Sequence, residues 1–205
     1  MDVKNALEEL SKEKKRKFSQ SLDLIVNLKG IDLRRENINA IISVPHKPKD
    51  KKVCGFMDKK SDLVDTITKL DFPKYKDKKT LKNLVKKYDF FIAIAPLMPS
   101  VATTFGKILG PAGKMPSPQL GIINQESSDA INHELSKISK SIKIRVKETS
   151  IKVSIGNEAM PQDQLMDNIR TVFNGIVNAL PKKKDNIKNV MVKYTMSKPI
   201  KVEGM

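Results

Sequence analysis

Two stretches of strict alternation near the start of the chain have nothing close by in sequence to cover them. Leu22, Leu24, Val26 and Leu28 alternate with Asp23, Ile25, Asn27 and Lys29 up to Gly30, and Ala40, Ile42 and Val44 repeat the same period. Both read as strands of one sheet with an apolar face that needs a core. Residues 2–16 supply a single helix, with Val3, Ala6, Leu7 and Leu10 on one side and the basic run Lys14 to Lys17 at its end. One helix and two strands are too little to bury a sheet, so the missing strands must come from elsewhere in the chain.

The segment Pro45-His46-Lys47-Pro48-Lys49-Asp50 breaks the alternation with two prolines and several charges, which predicts a hinge or linker. Beyond it the pattern is that of an α/β unit: a short strand over 53–57, helices near 60–70 and 79–88, and the apolar strand 89–95. A helix over 98–109, a Gly- and Pro-rich loop over 110–121 and a helix over about 126–140 follow. The texture then changes. Ile142, Ile144 and Val146, then Ile151, Val153 and Ile155, alternate as a hairpin, and 161–180 reads as a long amphipathic helix whose Pro161 suits the first turn. Val190, Val192 and Tyr194 form another strand, and Ile200 with Val202 a last one. The strand-rich end is the natural partner of the stranded N-terminal piece. The predicted fold class is therefore a split α+β domain, residues 1–46 and 142–205, with an α/β domain inserted at 47–141.

Charge narrows the partner. Lys and Arg number 39 against 23 acids, giving a net +16, beyond the roughly 2 to 8 usual for a small domain. Such an excess favours a polyanion, foremost nucleic acid, through counterion release. The inserted segment holds 18 basic and 10 acidic residues and the outer pieces 21 and 13, so each nets +8 and charge does not say which part grips the partner. Cys54 is the only cysteine, which excludes an intramolecular disulfide and fits a reducing cytoplasmic setting. The N-terminus is charged and amphipathic, so no membrane partner is expected, and no obligate homo-oligomer.

The residues argue against catalysis. Gly110-Pro111-Ala112-Gly113-Lys114-Met115 has the wrong glycine spacing for a phosphate loop and lacks its Ser or Thr. His46 and His133 stand in no ligand spacing, no acid pair is set apart, and Cys54 in its apolar strand reads as a core residue. No metal and no cofactor is expected. The alternative to a binding protein, a nucleotide-using enzyme built on the inserted α/β domain, rests on fold type alone.

Taken together, Lys17-Phe18-Ser19-Gln20-Ser21-Leu22-Asp23-Leu24, the stretch 30–35, Val44-Pro45-His46, Ala95-Pro96-Leu97-Met98-Pro99, Leu109 to Pro116 and Tyr194-Thr195-Met196-Ser197-Lys198-Pro199 resemble the ribosomal protein L-one family, in its archaeal branch. The ordered set runs over essentially the whole chain. The resemblance implies a split RNA-binding domain and an inserted Rossmann-like, three-layer domain. It implies large-subunit ribosomal RNA of the mobile side stalk as partner, contact with deacylated transfer RNA at the exit site, and repression of the protein's own messenger RNA.

It also implies a site. Lys17 would meet phosphate, Phe18 a ribose or base face, and Ser21 and Asp23 the 2′-hydroxyls that mark RNA. Thr195, Met196 and Ser197 would line the facing turn. Ser197 stands where the family usually has glycine, which would strain a turn requiring positive φ. Arg34, Arg35, Arg145 and Lys147 would be secondary phosphate neighbours, and Pro45 and His46 the hinge. By pattern alone Phe18 starts an apolar strand and reads as core, while Ser21 and Asp23 fall on a polar face that either RNA or water would satisfy.

Overall fold

The computed structural model describes all residues except 13–15, 33–35, 37, 76 and 204–205. Among the described residues it is a mixed α/β structure with three sheets, and the internal contacts fall into two compact units, residues 1–49 with 140–205 and residues 50–139.

The first unit is built on a four-stranded antiparallel sheet. Its strands are β1 (Ser21–Leu28), β8 (Ser150–Asn157), β9 (Ile187–Tyr194) and β10 (Ile200–Val202), in the order β10-β9-β1-β8. β1 is central, so strands from the far end of the chain do cover the N-terminal one. The helices α1 (Val3–Ser11) and α5 (Gln162–Ala179) pack on the face formed by Leu22, Leu24, Val26 and Leu28, all at most 5% exposed. Full burial of each such side chain contributes about 1.5–3 kcal/mol.

Two readings are corrected here. β2 (Asn39–Ser43) does not join β1 but pairs with β7 (Ser141–Arg145) in a separate two-stranded sheet, and β7 and β8 form no hairpin. Alternation fixes which side chains share a face but not which strand lies alongside. The link between β7 and β8, residues 146–149, also lacks the left-handed residues that close a tight hairpin. β2 is held over α5 by a close approach: a Cβ on Gly175 would lie 2.5 Å from Ile42 Cδ1.

A bulge interrupts the pairing of β1 with β8. Leu22 faces Gly156 and Asp23 faces Ser154, leaving Ile155 as the extra residue. Its carbonyl accepts a hydrogen bond from Asn168 Nδ2 at 2.9 Å. Asn168, fully buried in α5, is thus the polar residue that makes the irregularity tolerable.

The second unit carries a parallel sheet in the order β4-β3-β5-β6, from β3 (Val53–Phe56), β4 (Asp65–Ile67), β5 (Phe90–Ile94) and β6 (Ile122–Ile123). The helices α2 (Lys78–Lys87) and α3 (Met98–Ala112) share one core with Cys54, Phe56, Phe91 and Ala93, while α4 (Ser128–Ser139) packs near β6. Phe56, Phe72, Phe91 and Phe105 meet with ring centroids 4.8–6.1 Å apart. The helix expected over 60–70 is instead β4 and a 3-10 turn, Lys69–Tyr75. Val64, Thr66, Ile67 and Thr68 are β-branched and favour extended backbone, and the Thr66 hydroxyl oxygen accepts the Ser61 N–H at 3.2 Å.

Candidate nucleic-acid interface

In β1 the residues between the buried leucines, Ser21, Asp23, Ile25 and Asn27, point to the opposite face of the sheet and remain partly exposed. Cross-strand register extends this face. Asp23 stands between Ser154 and Lys193, and Ile25 between Lys152 and Met191, with Lys201 opposite Met191. The open face therefore mixes hydroxyls, lysines and two apolar side chains.

At one end of it the chain leading into β1 meets the turn after β9. The Thr195 N–H donates to Ser21 O at 3.1 Å, the Ser21 N–H donates to Thr195 Oγ1 at 3.1 Å, and the two hydroxyls lie 3.0 Å apart. Gln20 is 3% exposed and works on both sides. Its Oε1 accepts the Met196 N–H at 3.2 Å and its Nε2 donates to Glu158 at 3.4 Å. The turn is thereby fixed against the start of β1 without using the side chains of Phe18 or Met196, which stay 51% and 59% exposed. An isolated exposed apolar residue is ordinary; here two stand out, each beside a clamped backbone segment at one end of a basic sheet face.

Direct hydrogen bonds thus join Ser21 to Thr195 and Gln20 to Met196 across more than 170 positions of sequence, with Lys17 and Phe18 just before this junction and Asp23 just after it on β1. The pattern-based placement of Phe18 in the core is corrected: it precedes the first strand residue and points outward. Ser197 differs from the expectation in both respects. It is 8% exposed, its Oγ accepts the Tyr194 N–H at 2.8 Å, and it lies within reach of the carbonyls of Tyr194 and Lys198. Its φ is not positive, so serine brings no left-handed strain and closes the turn from within.

Beneath Phe18 lies a cleft of about 530 Å³ lined by Arg16, Lys17, Phe18, Glu158, Met160 and Tyr194, among others. Burial, and then the nearby Glu158, raise the Tyr194 phenol above its ordinary value, so it stays a neutral donor. Arg145 and Lys147 lie apart from this cluster, at and beyond the end of β7 in the two-stranded sheet. Alternation places Lys143 on the face of Arg145, and its ammonium titrates below the ordinary lysine value through burial and then the Arg145 charge. Arg34 and Arg35 lie outside the described residues.

Pro45 and His46, expected as the hinge, lie near the end of the first segment of their unit, which runs to Lys49. The His46 N–H donates to Asn168 Oδ1 at 3.1 Å, its carbonyl accepts from Asn168 Nδ2 at 3.0 Å, and its ring lies 3.5 Å from Asp167. Both bonds tie the His46 peptide to α5 of its own unit; the neighbouring Pro45 is exposed.

Sequence reasoning missed Gln20, Lys152, Lys193 and Lys201. Parity alone could have marked the lysines, since each alternates with a buried residue of its strand, but the register that brings them to β1 was not visible. The Gly110–Lys114 segment ends a helix rather than opening one. Gly113 takes φ +71 as its cap, and Lys114 Nζ donates to the carbonyls of Val85 and Tyr88 at 2.8 and 2.6 Å. Among the described residues there is no group of three or more His, Cys, Asp or Glu able to hold a metal, and no helix long and apolar enough to cross a membrane.

Comparison with known proteins gives a consistent result. The model of the Ribosomal protein L1p/L10e family matches residues 10–198. Among curated proteins, the large ribosomal subunit protein uL1 of Pyrococcus horikoshii is 34% identical over 213 aligned positions, covering 98% of this chain and 95% of that one. Those of Thermofilum pendens and Picrophilus torridus are each 36% identical, covering 98% of this chain and 90% and 97% of their own.

Proposed function

The chain belongs to the ribosomal protein L1p/L10e family, and from that premise we propose that it binds large-subunit ribosomal RNA of the mobile side stalk through the open sheet face and the clamped Ser21–Thr195 junction. Its role is that of a structural ribosomal protein and not an enzyme, in the cytoplasmic ribosome, in keeping with relatives named for the large subunit.

The observation that carries the reading is the pair of exposed side chains Phe18 and Met196 flanking two hydroxyls on a surface that also presents Lys17 and Lys193. RNA asks for each of these groups. An unstacked base or ribose face takes the aromatic ring and thioether, 2′-hydroxyls exchange hydrogen bonds with Ser21, Thr195 and Asp23, and phosphates take the lysines. Asp23 is repelled by phosphate, so its place is beside a hydroxyl or exocyclic amine. Arg145 and Lys147 add salt-sensitive contacts.

The same reading has the two compact units act as separate domains, the inserted one Rossmann-like, with the pivot at Pro45 and His46 in the segment 45–50. Movement about it lets the stalk accompany deacylated transfer RNA from the exit site. Use of the same surface on a matching fold in its own messenger makes the protein a repressor of its own synthesis.

The test is binding of the full chain to its stalk RNA and to an unrelated RNA of equal length at two salt concentrations. Preference for the stalk RNA that persists at higher salt supports a shaped site; equal binding that disappears with salt refutes it. Phe18→Ala should weaken stalk binding about fivefold or more, since stacking of a base on an aromatic ring is worth roughly 1–3 kcal/mol, and Met196→Ala should weaken it too; both should leave the fold intact.

A further inference from the structure

Helix α2 of the second unit has a charge pattern that its own fold does not explain. Its sequence, KKTLKNLVKK, turns Leu81 and Leu84 into the core and leaves Lys78, Lys79, Lys82 and Lys86 exposed. At 100° per residue these four lysines fall within roughly a 100° arc, on the side away from the two leucines. Lys78, Lys82 and Lys86 follow one another at i, i+4 and i+8, about 6 Å apart along the axis.

Among the described residues none of the four is paired with an acid. Lys87, on another side of the helix, shows the contrast: it lies 3.6 Å from Asp65 and over the Tyr88 ring. Like charges at i, i+4 destabilise a helix, and their spacing is inside the roughly 8 Å screening length of physiological salt. Lys78 and Lys79 also sit in the first turn, where the helix dipole opposes a cation. That turn contains no acid, and Asp77 before it makes no side-chain capping bond. Lys78 and Lys79 are thus held where the dipole disfavours them, and Lys78, Lys82 and Lys86 repel one another along the row although the last turn favours a cation at Lys86; such a cost is tolerated when a surface is kept for binding rather than stability.

We infer that this lysine stripe of α2 is a second RNA-contacting surface, gripping consecutive phosphates of a strand without reading its sequence. The spacing of one lysine per turn offers a row of cations to a regularly charged backbone, and no hydroxyl or aromatic group on the stripe supplies base selection. The inference rests on the proposed function only for the identity of the polyanion; the surface itself lies in the other unit and uses none of the same residues.

The experiment uses the full chain with Lys78, Lys79, Lys82 and Lys86 all changed to Gln, against a short hairpin RNA of unrelated sequence over a range of salt. Loss of four phosphate contacts should reduce the slope of log affinity against log salt by about 3, at roughly 0.7 per contact on a single strand, with no loss of thermal stability. An unchanged slope in the folded variant overturns the proposal. Acetylation footprinting of the unaltered protein provides an independent reading: RNA should protect these four lysines and leave the exposed Lys140 reactive. Uniform reactivity, or protection by phosphatidylserine vesicles and not by RNA, overturns it too. Phe18→Ala, tested in parallel on stalk RNA, separates the two surfaces. Should it bind normally while the Gln variant loses slope, the open-sheet reading fails and the stripe stands; the reverse outcome removes the stripe alone.

Discussion

Replacing Asn168 by Leu, close in size but apolar, should be among the most damaging single changes in the first unit. Asn168 is fully buried and makes three hydrogen bonds: from the His46 N–H at 3.1 Å, to His46 O at 3.0 Å and to Ile155 O at 2.9 Å. Each is worth about 1 kcal/mol net, and a carbonyl left buried without a donor costs at least about 1 kcal/mol more. Ile155 is the extra residue of the bulge and is itself fully buried, whereas the partly exposed His46 can recover water. The expected loss is about 4 kcal/mol, a large share of a typical 5–15 kcal/mol, which for a unit of this size lowers Tm by roughly 15 °C. Urea unfolding of the full chain measures it, and hydrogen exchange on peptides from α5 and β8 assigns it to this unit. Asn168→Asp is the decisive control. It keeps the shape and the acceptor but loses both donated bonds and sets a carboxylate against two carbonyls, so it should be at least as harmful as Leu. A loss below about 1 kcal/mol for Leu, or an Asp variant as stable as the parent, would refute the reasoning.

Three other outcomes follow from particular contacts. Gly175→Ala should gain about 1 kcal/mol of helix propensity and lose more to overpacking, since its Cβ would meet Ile42 Cδ1 at 2.5 Å; adding Ile42→Val should recover part of the loss, and strict additivity in the urea midpoint would show that the two do not meet. Hydrogen bonds from Lys74 and then Thr68 lower Asp71 from 3.8 to about 2, so the stability it contributes is present above pH 4 and lost as pH falls towards 2; Asp71→Asn should flatten this acid limb of a thermal-melt series, and an unaltered limb counts against the pairing. Burial, reinforced by Asp65, pushes the Cys54 thiol up to about 12, so a thiol reagent should label it slowly in native buffer and fully in denaturant; rapid labelling of the folded chain would contradict its placement in β3.

The sequence by itself determined the parity of nearly every strand, because burial of one face writes a period of two into the residues: Leu22 to Leu28, Ile151 to Ile155 and Val190 to Tyr194 all turn inward as their spacing requires. It determined the amphipathic face of α5, and its excess of cations favours a polyanionic partner. It also carried the ordered motifs whose family the comparisons then matched across residues 10–198. Only the tertiary structure decided which strand lies beside which. Pairing is a contest among strands of similar pattern, settled by bulges, turns and close approaches such as Gly175 against Ile42, none of which has a local signature. The same holds for the interface. Phe18 is exposed just ahead of Gln20 and Ser21, whose bonds to Met196 and Thr195 anchor the chain that follows it, and Ser197 turns inward because its hydroxyl meets the backbone groups of its own turn. Those bonds join residues more than 170 positions apart or depend on the exact path of one turn, and no reading of neighbours along the chain contains that information.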